Sequence, residues 1–249
     1  MKKYGLIGYP LSHSFSKDFF NRKFKSEHID AEYVNFQIED IKEFNIVKET
    51  PMLCGLNVTL PYKTQVMPLL DEIDKDARLI GAVNVIKFIK GGRFSKLKLK
   101  GYNSDIIGFK ESIDPLLKPE IHRKALILGT GGASKAVYHG LKQLNIDVQF
   151  VSRYPEKQCI TYKEITPGWI KEYTVIVNAT PLGMYPHVEE CPDIPYDSLT
   201  SEHLLYDLLY NPDETLFMRK GKEKGATVKN GLEMLLLQAF VSWDIWNME

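Results

Sequence analysis

The residues whose types and spacing point to chemistry start at Ala125-Leu-Ile-Leu-Gly-Thr-Gly-Gly-Ala-Ser134, where an apolar run meets glycines and then helix formers. The continuous apolar run predicts a parallel strand buried on both faces. Gly129 can make a tight turn and Gly131 lets the backbone approach a ligand. The helix that follows aims unpaired N–H groups and a positive dipole end at the same spot. That arrangement suits a pyrophosphate, as in dinucleotide-binding turns. The pattern is G-x-G-x-x-S, with Ser134 where a third glycine or alanine is usual; alone it also describes a strand-to-helix turn without a ligand. The next strand adds weight. A site for NAD usually ends that strand in an acid that holds the ribose 2′-hydroxyl, whereas here the tip is Ser152-Arg153, with Lys157 just beyond. Cations there suit a 2′-phosphate, so NADP is the expected cofactor; a solvated loop arginine is the plain alternative.

A second group lies in the first 105 residues. Ser14 and Ser16 precede a short helix with Phe19, Phe20 and Phe24 on its apolar side. They either cap it or cradle a carboxylate with hydroxyls and backbone N–H groups. In Asn57-Val-Thr-Leu-Pro-Tyr-Lys63, Pro61 fits the first turn of a helix, which would put Lys63 in that turn beside Thr59. Most lysines are solvated surface residues. A cation at a helix N-terminus is disfavoured by the dipole, so its placement calls for a reason, and proton transfer would supply one. Asp105 opens a helix over residues 106–117, either as its cap or as a carboxylate that orients the lysine.

These side chains need elements to hold them. Strands are expected at 4–8, 31–38 and 52–60, with helices at 18–25, 40–48 and 71–79. Residues 81–89 and 96–100 form a hairpin turned at Gly91-Gly92. Its Lys87, Lys90, Arg93, Lys96, Lys98 and Lys100 read as a solvated face rather than an anion-binding patch. Beyond Asp105, strands at 125–128, 147–154, 173–178 and 204–210 are separated by helices or loops, the pattern of a doubly wound domain. The 178–183 stretch lies past a strand's carboxyl end, where such sheets bind ligands. A helix at 214–224 has a basic end, and a final helix begins at Gly231. Gln238 interrupts its apolar face, so it is either bonded in the core or turned to a cleft.

The chain's 249 residues are enough for one large or two modest domains. Hydrophobic content of 44% and charged content of 26% are those of an ordinary globular protein. With 32 Lys+Arg against 32 Asp+Glu, no overall field attracts nucleic acid or a membrane, and neither is an expected partner. Cys54, Cys159 and Cys191 form no close pair and the six histidines are scattered. A reducing compartment is expected, with no disulfide framework and no metal site. No stretch suits a signal peptide or a bilayer span, so the expected location is cytoplasmic.

Together the motifs resemble those of the shikimate dehydrogenase family. The resemblance is carried by His-Ser-Phe-Ser at 13–16, Asn-Val-Thr-Leu-Pro-Tyr-Lys at 57–63, Gly-Ala-Val-Asn at 81–84 and Gly-Tyr-Asn-Ser-Asp at 101–105. It continues through Gly-Thr-Gly-Gly-Ala-Ser at 129–134 and Asn-Ala-Thr-Pro-Leu-Gly-Met at 178–184. Tyr-Asp-Leu-Leu-Tyr-Asn-Pro at 206–212 and Asn-Gly-Leu-Glu-Met-Leu-Leu-Leu-Gln at 230–238 complete it. The chain departs from the family pattern at Lys17, Ser104, Ile106 and Asn230, and at Ser152 and Tyr154 around the arginine.

The resemblance implies a two-domain α/β fold. Residues 1–104 with 230–249 would form the substrate-binding domain, and 105–229 a Rossmann-type doubly wound domain for NADP. It implies that Ser14 and Ser16 hold a substrate carboxylate, and that Thr59, Asn84, Asp105 and Gln238 bind ring hydroxyls with Tyr210 nearby. Lys63 would be the acid/base residue, assisted by Asp105. Gly129, Thr130, Gly131, Gly132, Ala133 and Ser134 would hold the pyrophosphate, and Ser152, Arg153 and Lys157 the 2′-phosphate. Thr180 would also bind the cofactor, with Leu208 and Gly231 at its nicotinamide end. The implied reaction is reversible NADPH-dependent reduction of 3-dehydroshikimate to shikimate, in chorismate and aromatic amino acid synthesis. An NAD-using quinate/shikimate dehydrogenase and a non-catalytic nucleotide-binding homologue are the alternatives. The partner would be the small-molecule substrate, and the chain a monomer or homodimer.

Overall fold

The computed structural model describes residues 1–11, 14–89, 97–155 and 157–248. His13, Lys90, Arg93, Lys96 and the expected turn at Gly91-Gly92 lie outside them. The chain divides into two compact units, Met1–Ser104 with Ala239–Glu249, and Asp105–Gln238. The second boundary falls at Gln238, inside the last helix, where the family resemblance implied 230.

The first unit contains β1 (Lys2–Gly8), α1 (Phe15–Ser26), β2 (Ala31–Gln37), α2 (Phe44–Val47) and β3 (Leu53–Val58). After these come β4 (Glu72–Ile73), α3 (Lys75–Ile80), β5 (Val85–Ile89) and β6 (Lys98–Tyr102). They build a mixed sheet in the order β2-β1-β3-β5-β6-β4, with β1 parallel to β2 and β3, and β5 antiparallel to β3 and β6. The helix expected over 71–79 starts only at Lys75. Asp71 instead exchanges hydrogen bonds with Leu99, its N–H donating to the carbonyl at 3.0 Å and its carboxylate accepting from the N–H at 2.7 Å. That pairing draws Glu72 and Ile73 into the sheet edge beside β6, and Asp74 then caps α3. Gly81, at φ 69°, ends α3 in the left-handed region, so β5 begins at Val85 and not at 81. Lys87 is half-buried opposite Lys100 and donates to the Met248 carbonyl, so this part of the hairpin is not a freely solvated face. Burial and the facing Lys100 ammonium hold its pKa below the usual lysine range.

Two apolar layers cover this sheet. Ile7, Leu56, Val58, Tyr62, Val66 and Ile86 pack on one side; Tyr4, Phe20, Phe24, Tyr33, Val85 and Trp246 pack on the other. The Phe20 ring stacks on Tyr33 with centroids 4.9 Å apart. Gly55 in β3 lies directly under Trp246, whose indole N–H donates to the Ile86 carbonyl at 3.1 Å.

The second unit contains α4 (Asp105–Ile113), β7 (Lys124–Leu128), α5 (Gly132–Gln143), β8 (Asp147–Ser152), β9 (Cys159–Thr161) and α6 (Pro167–Glu172). It continues with β10 (Val175–Asn178), β11 (Leu204–Asp207), α7 (Leu216–Glu223) and β12 (Thr227–Lys229). The last helix is α8 (Leu232–Asn247). The strand order is β12-β11-β10-β7-β8-β9, and every neighbouring pair is parallel. Counted from β7, this is the doubly wound order, with its switch point between β7 and β10. The apolar run over 125–128 is wholly buried as its composition predicts. Ala125 and Ile127 join one core with Phe109 and Tyr206, and Leu126 and Leu128 join the other with Phe217. The strand expected over 204–210 stops at Asp207 because its carboxylate takes the Leu209 N–H at 3.0 Å, closing a turn in place of the ladder. Met234 of α8 packs in this unit, whereas Ala239, Ile245 and Trp246 pack in the first. Among the described residues no helix is long and apolar enough to cross a membrane.

This packing sets two expectations for stability. A Cβ at position 55 would sit 2.4 Å from Trp246 Cδ1 and Nε1, and the indole is tethered, so Gly55→Ala is expected to cost about 1–3 kcal/mol in urea unfolding; a neutral substitution would contradict the tether. Burial pushes the Asp207 carboxyl up to about 6, against the opposing pull of Thr215, Leu209 and Asn178. A folded-state pKa raised above the unfolded value of about 3.9 stabilises the fold fully below that value and loses the effect as pH rises through about 6. Asp207→Asn removes the ionisation, so its melting temperature relative to the parent is expected to rise between about pH 4 and pH 7. A difference that stays flat or falls contradicts this.

Candidate functional site

In the first unit the predicted side chains gather past the carboxyl ends of β1 and β3. Ser14 is the N-cap of α1, its Oγ accepting from the Lys17 N–H at 3.2 Å. Ser16, in the first turn, is half-buried, and burial pushes the Tyr33 phenol well above its ordinary range. Tyr33 donates to Asn57 Oδ1 at 2.8 Å, and Asn57 Nδ2 donates to Ser242 Oγ at 3.0 Å. Ser242 Oγ lies 3.3 Å from Ser104 Oγ. Ser104 in turn accepts from Asn84 Nδ2 at 3.0 Å and donates its N–H to Asn84 Oδ1 at 2.7 Å. Tyr33 and Asn84, far apart in sequence, are thus the ends of one buried hydrogen-bonded chain. Sequence reasoning gave Tyr33, Asn57, Ser104 and Ser242 no role in it. The one signal was Asn57, a polar residue at the end of an otherwise apolar strand.

Lys63 is not in a helix. Residues 61–66 are a run of turns, so no helix dipole acts on the lysine and that part of the sequence argument is corrected. The reason is tertiary. The Lys63 carbonyl accepts from the Val83 N–H at 2.8 Å, and the Met67 N–H that a helix would send to it goes to Thr64. Tyr62 and Val66 turn inward, and the Tyr62 hydroxyl donates to the Ile38 carbonyl at 2.6 Å. Lys63, between them in sequence, remains half-buried. Thr59 donates its N–H to Ile7 at 3.0 Å, and Asn84 accepts from the Val58 N–H at 2.8 Å. These backbone bonds bring Thr59, Lys63 and Asn84 to one end of the central strands β3 and β5.

In the second unit a groove of about 310 Å³ opens at the switch point, lined among others by Gly129, Thr130, Gly131, Ser152, Arg153 and Thr180. Gly129 has φ 105°, and a Cβ there would sit 3.1 Å from the Ala179 carbonyl oxygen, so the loops after β7 and β10 approach as closely as glycine allows. A Cβ at Gly131 or Gly132 would meet nothing within 4 Å. No side chain caps α5, which leaves the first-turn N–H groups around Gly132 and Ala133 for a ligand. Ser134 is buried and its hydroxyl donates to the Gly131 carbonyl at 2.6 Å, fastening the turn from within. Ser152 is also buried, and accepts from the Tyr154 N–H at 3.3 Å. The exposed Arg153 guanidinium lies 5.9 Å from the Tyr154 ring centroid, and Lys157 is exposed on the following turn.

Tyr162, which sequence reasoning missed, also lines the groove. Its hydroxyl is buried and has no hydrogen-bond partner among the described residues. Burial pushes the phenol up to about 12 while Arg153 pulls it the other way. An open helix N-terminus, a cationic rim and an orphaned hydroxyl are a donor set that fits a dinucleotide carrying an extra phosphate.

The remaining residues divide as follows. Thr180 donates its N–H and its hydroxyl to Asn178 Oδ1, at 3.0 and 2.6 Å. Leu208 and Gly231 adjoin: a Cβ at 231 would sit 2.2 Å from the Leu208 carbonyl oxygen, so only glycine fits. Tyr210 is exposed on the same segment. Asp105 is the first residue of α4 and only 8% exposed. Gln238 is half-buried, and its Nε2 donates to the Leu235 carbonyl at 3.0 Å.

Known proteins similar to this chain identify its family. Residues 6–86 match the family model described as shikimate dehydrogenase substrate binding domain. A relative named shikimate dehydrogenase (NADP(+)), from Methanococcus maripaludis strain S2, is 38% identical over 98% of this chain and 91% of its own. The crystal structure of shikimate dehydrogenase from Aquifex aeolicus superposes with a TM-score of 0.85 at 35% identity, covering 99% of this chain and 92% of that one. That of shikimate 5-dehydrogenase from Thermus thermophilus, in complex with NADP(H) and shikimate, gives 0.83 at 27% identity, covering 99% and 94%. Similarity of this extent, over nearly the whole length of both chains, makes this chain a member of the shikimate dehydrogenase family.

Proposed function

We propose that this chain catalyses the reversible NADPH-dependent reduction of 3-dehydroshikimate to shikimate, a step of chorismate and aromatic amino acid synthesis. The observation that carries this reading is the groove at the β7/β10 switch point, which ends in Arg153 rather than in an acid, in a chain of this family. NADPH, when bound, supplies the hydride that reaches the ketone carbon. Gly129, Thr130, Gly131, Gly132, Ala133 and Ser134 receive the pyrophosphate at the start of α5. Ser152, Arg153 and Lys157 hold the 2′-phosphate, and Arg153 can do so with two parallel charge-assisted bonds. Thr180, Leu208 and Gly231 bound the nicotinamide end.

The substrate belongs to the first unit's residues together with those at the start of α4 and on α8. Ser14 accepts from Lys17, so its hydroxyl proton is left to donate to the substrate carboxylate; Ser16 grips the same group. Thr59, Asn84, Asp105 and Gln238 bind ring hydroxyls, with Tyr210 beside them. Fixing the carboxylate at one end of the ring sets which carbon can meet the nicotinamide, a positional effect. The Lys63 ammonium gives its proton to the ketone oxygen as the hydroxyl forms, and the neutral amine takes it back in the oxidative direction. Asp105 holds that amine in line. We assign substrate binding to residues 1–104 with the chain's end, and the cofactor to the unit beginning at Asp105.

The test is the absorbance at 340 nm, followed with shikimate or quinate against NADP or NAD. Shikimate-dependent reduction of NADP is expected, and cofactor binding without turnover would contradict catalysis. Lys63→Ala is expected to lower kcat by about 10²–10⁴-fold with smaller effects on KM; an unchanged kcat removes Lys63 from the mechanism. Arg153→Ala is expected to raise the KM for NADPH by about 10–100-fold and leave that for NADH nearly unchanged. Equal effects on both cofactors would exclude a 2′-phosphate contact.

A further inference from the structure

The roles above leave one buried acid unused. Of the two carboxylates buried among the described residues, Asp105 is 8% exposed and Asp207 fully enclosed. Asp207 closes β11 directly opposite Asn178 in β10. Its Oδ1 accepts from Asn178 Nδ2 at 3.1 Å and from the Leu209 N–H at 3.0 Å, and its Oδ2 accepts from Thr215 Oγ1 at 2.6 Å. Taking a carboxylate out of water is costly, and an apolar residue would fill the same space at less cost. What the carboxylate adds is that it only accepts.

That one-sidedness decides which way the Asn178 amide points. With Nδ2 donating to Asp207 and to the Leu182 carbonyl at 3.4 Å, the Asn178 Oδ1 must face the next loop. There it accepts from the Thr180 N–H and hydroxyl, and Thr180 Oγ1 accepts from the Leu182 N–H at 3.2 Å. Turned over, the amide would set its NH2 against the two Thr180 donors and its oxygen against an anion. Thr180, Pro181 and Leu182 are one wall of the groove. The same carboxylate holds Leu209, whose neighbour Leu208 donates its N–H to the Asn178 carbonyl at 3.0 Å.

We infer that Asp207 is a positioning residue for dinucleotide binding: by fixing the Asn178 amide it sets the shape of the groove wall at residues 180–182. The inference rests on reading the groove as the NADP(H) site. Asp207→Ala removes the acceptor that orients Asn178. Asp207→Asn keeps it, because an asparagine oxygen can serve Asn178 and Leu209 while its NH2 donates to the Thr215 hydroxyl. Asn178→Ala cuts the same link from the other side.

The experiment measures NADP+ and NADPH dissociation constants by titration calorimetry on the full chain, with kcat, the shikimate KM and circular dichroism alongside. Asp207→Ala and Asn178→Ala are each expected to weaken NADPH binding by about 10–100-fold, and the double variant by no more than either alone. Asp207→Asn is expected to bind within about threefold of the parent, and in all variants the shikimate KM should move far less than the cofactor constant. A folded Asp207→Ala or Asn178→Ala that binds NADPH as the parent does overturns the inference, as does full additivity. Should Asp207→Ala fail to fold, Asn178→Ala decides alone. A parent chain that binds neither cofactor overturns the reading of the groove and the inference with it, whereas parent-like binding in the variants overturns the inference alone.

Discussion

The parallel pairing of β7 with β10 is the constraint on which the chemistry of the second unit depends. Two adjacent parallel strands that carry their helices to opposite faces leave a gap past their carboxyl ends, and nothing in the sheet itself fills it. The two loops must then come close without closing the gap. Gly129 permits the approach, because any side chain at φ 105° would be strained and would press on the Ala179 carbonyl. The result is a groove with backbone N–H groups at its floor and a cationic strand tip at its rim. Its ligand preference is thus an outcome of topology as much as of any single residue.

The first unit solves a related problem with side chains. Past the ends of β1 and β3 the ladder stops, and buried polar groups there must find other partners. The chain from Tyr33 through Asn57, Ser242 and Ser104 to Asn84 meets that need without a charged group. A fully satisfied network of this kind is rigid and specifies one arrangement, because each member has few alternative partners. It also takes one member from α8, so the helix that carries Gln238 is held by the same bonds that hold Asn84. Aromatic packing beneath it, with Phe20 on Tyr33 and Trp246 over Gly55, leaves little room for the network to shift.

Both units therefore fix polar side chains through contacts at strand ends, supported by apolar layers that tolerate little change of volume. In the first unit the contacts are neutral hydroxyls and amides. In the second a single carboxylate does the orienting, and burial raises its pKa to about 6 as the cost. The difference matters for pH response: the neutral network has nothing to titrate near neutrality, whereas Asp207 does.

Much of this was legible in the residues because the signals are local. The apolar run over 125–128, the glycines that follow it and the Arg153 tip announce a buried strand, a turn and a phosphate preference through nearest neighbours alone. Ser14 as a helix cap was equally local, whereas the need for glycine at 231 comes from the Leu208 carbonyl that approaches it. What sequence could not supply were bonds between distant segments. Lys63 leaves the helical path because its carbonyl is taken by Val83, and residues 72–73 leave theirs because Asp71 pairs with Leu99. Tyr162, Asn178 and Asp207 look like ordinary strand-end residues until β9, β10 and β11 take their places in one sheet. The residues by themselves determined the family, the longer strands and the chemical types available, but not the short strands β4, β9 and β12. Only the tertiary structure decided which donor meets which acceptor, because that depends on strand order and register, which no local pattern encodes.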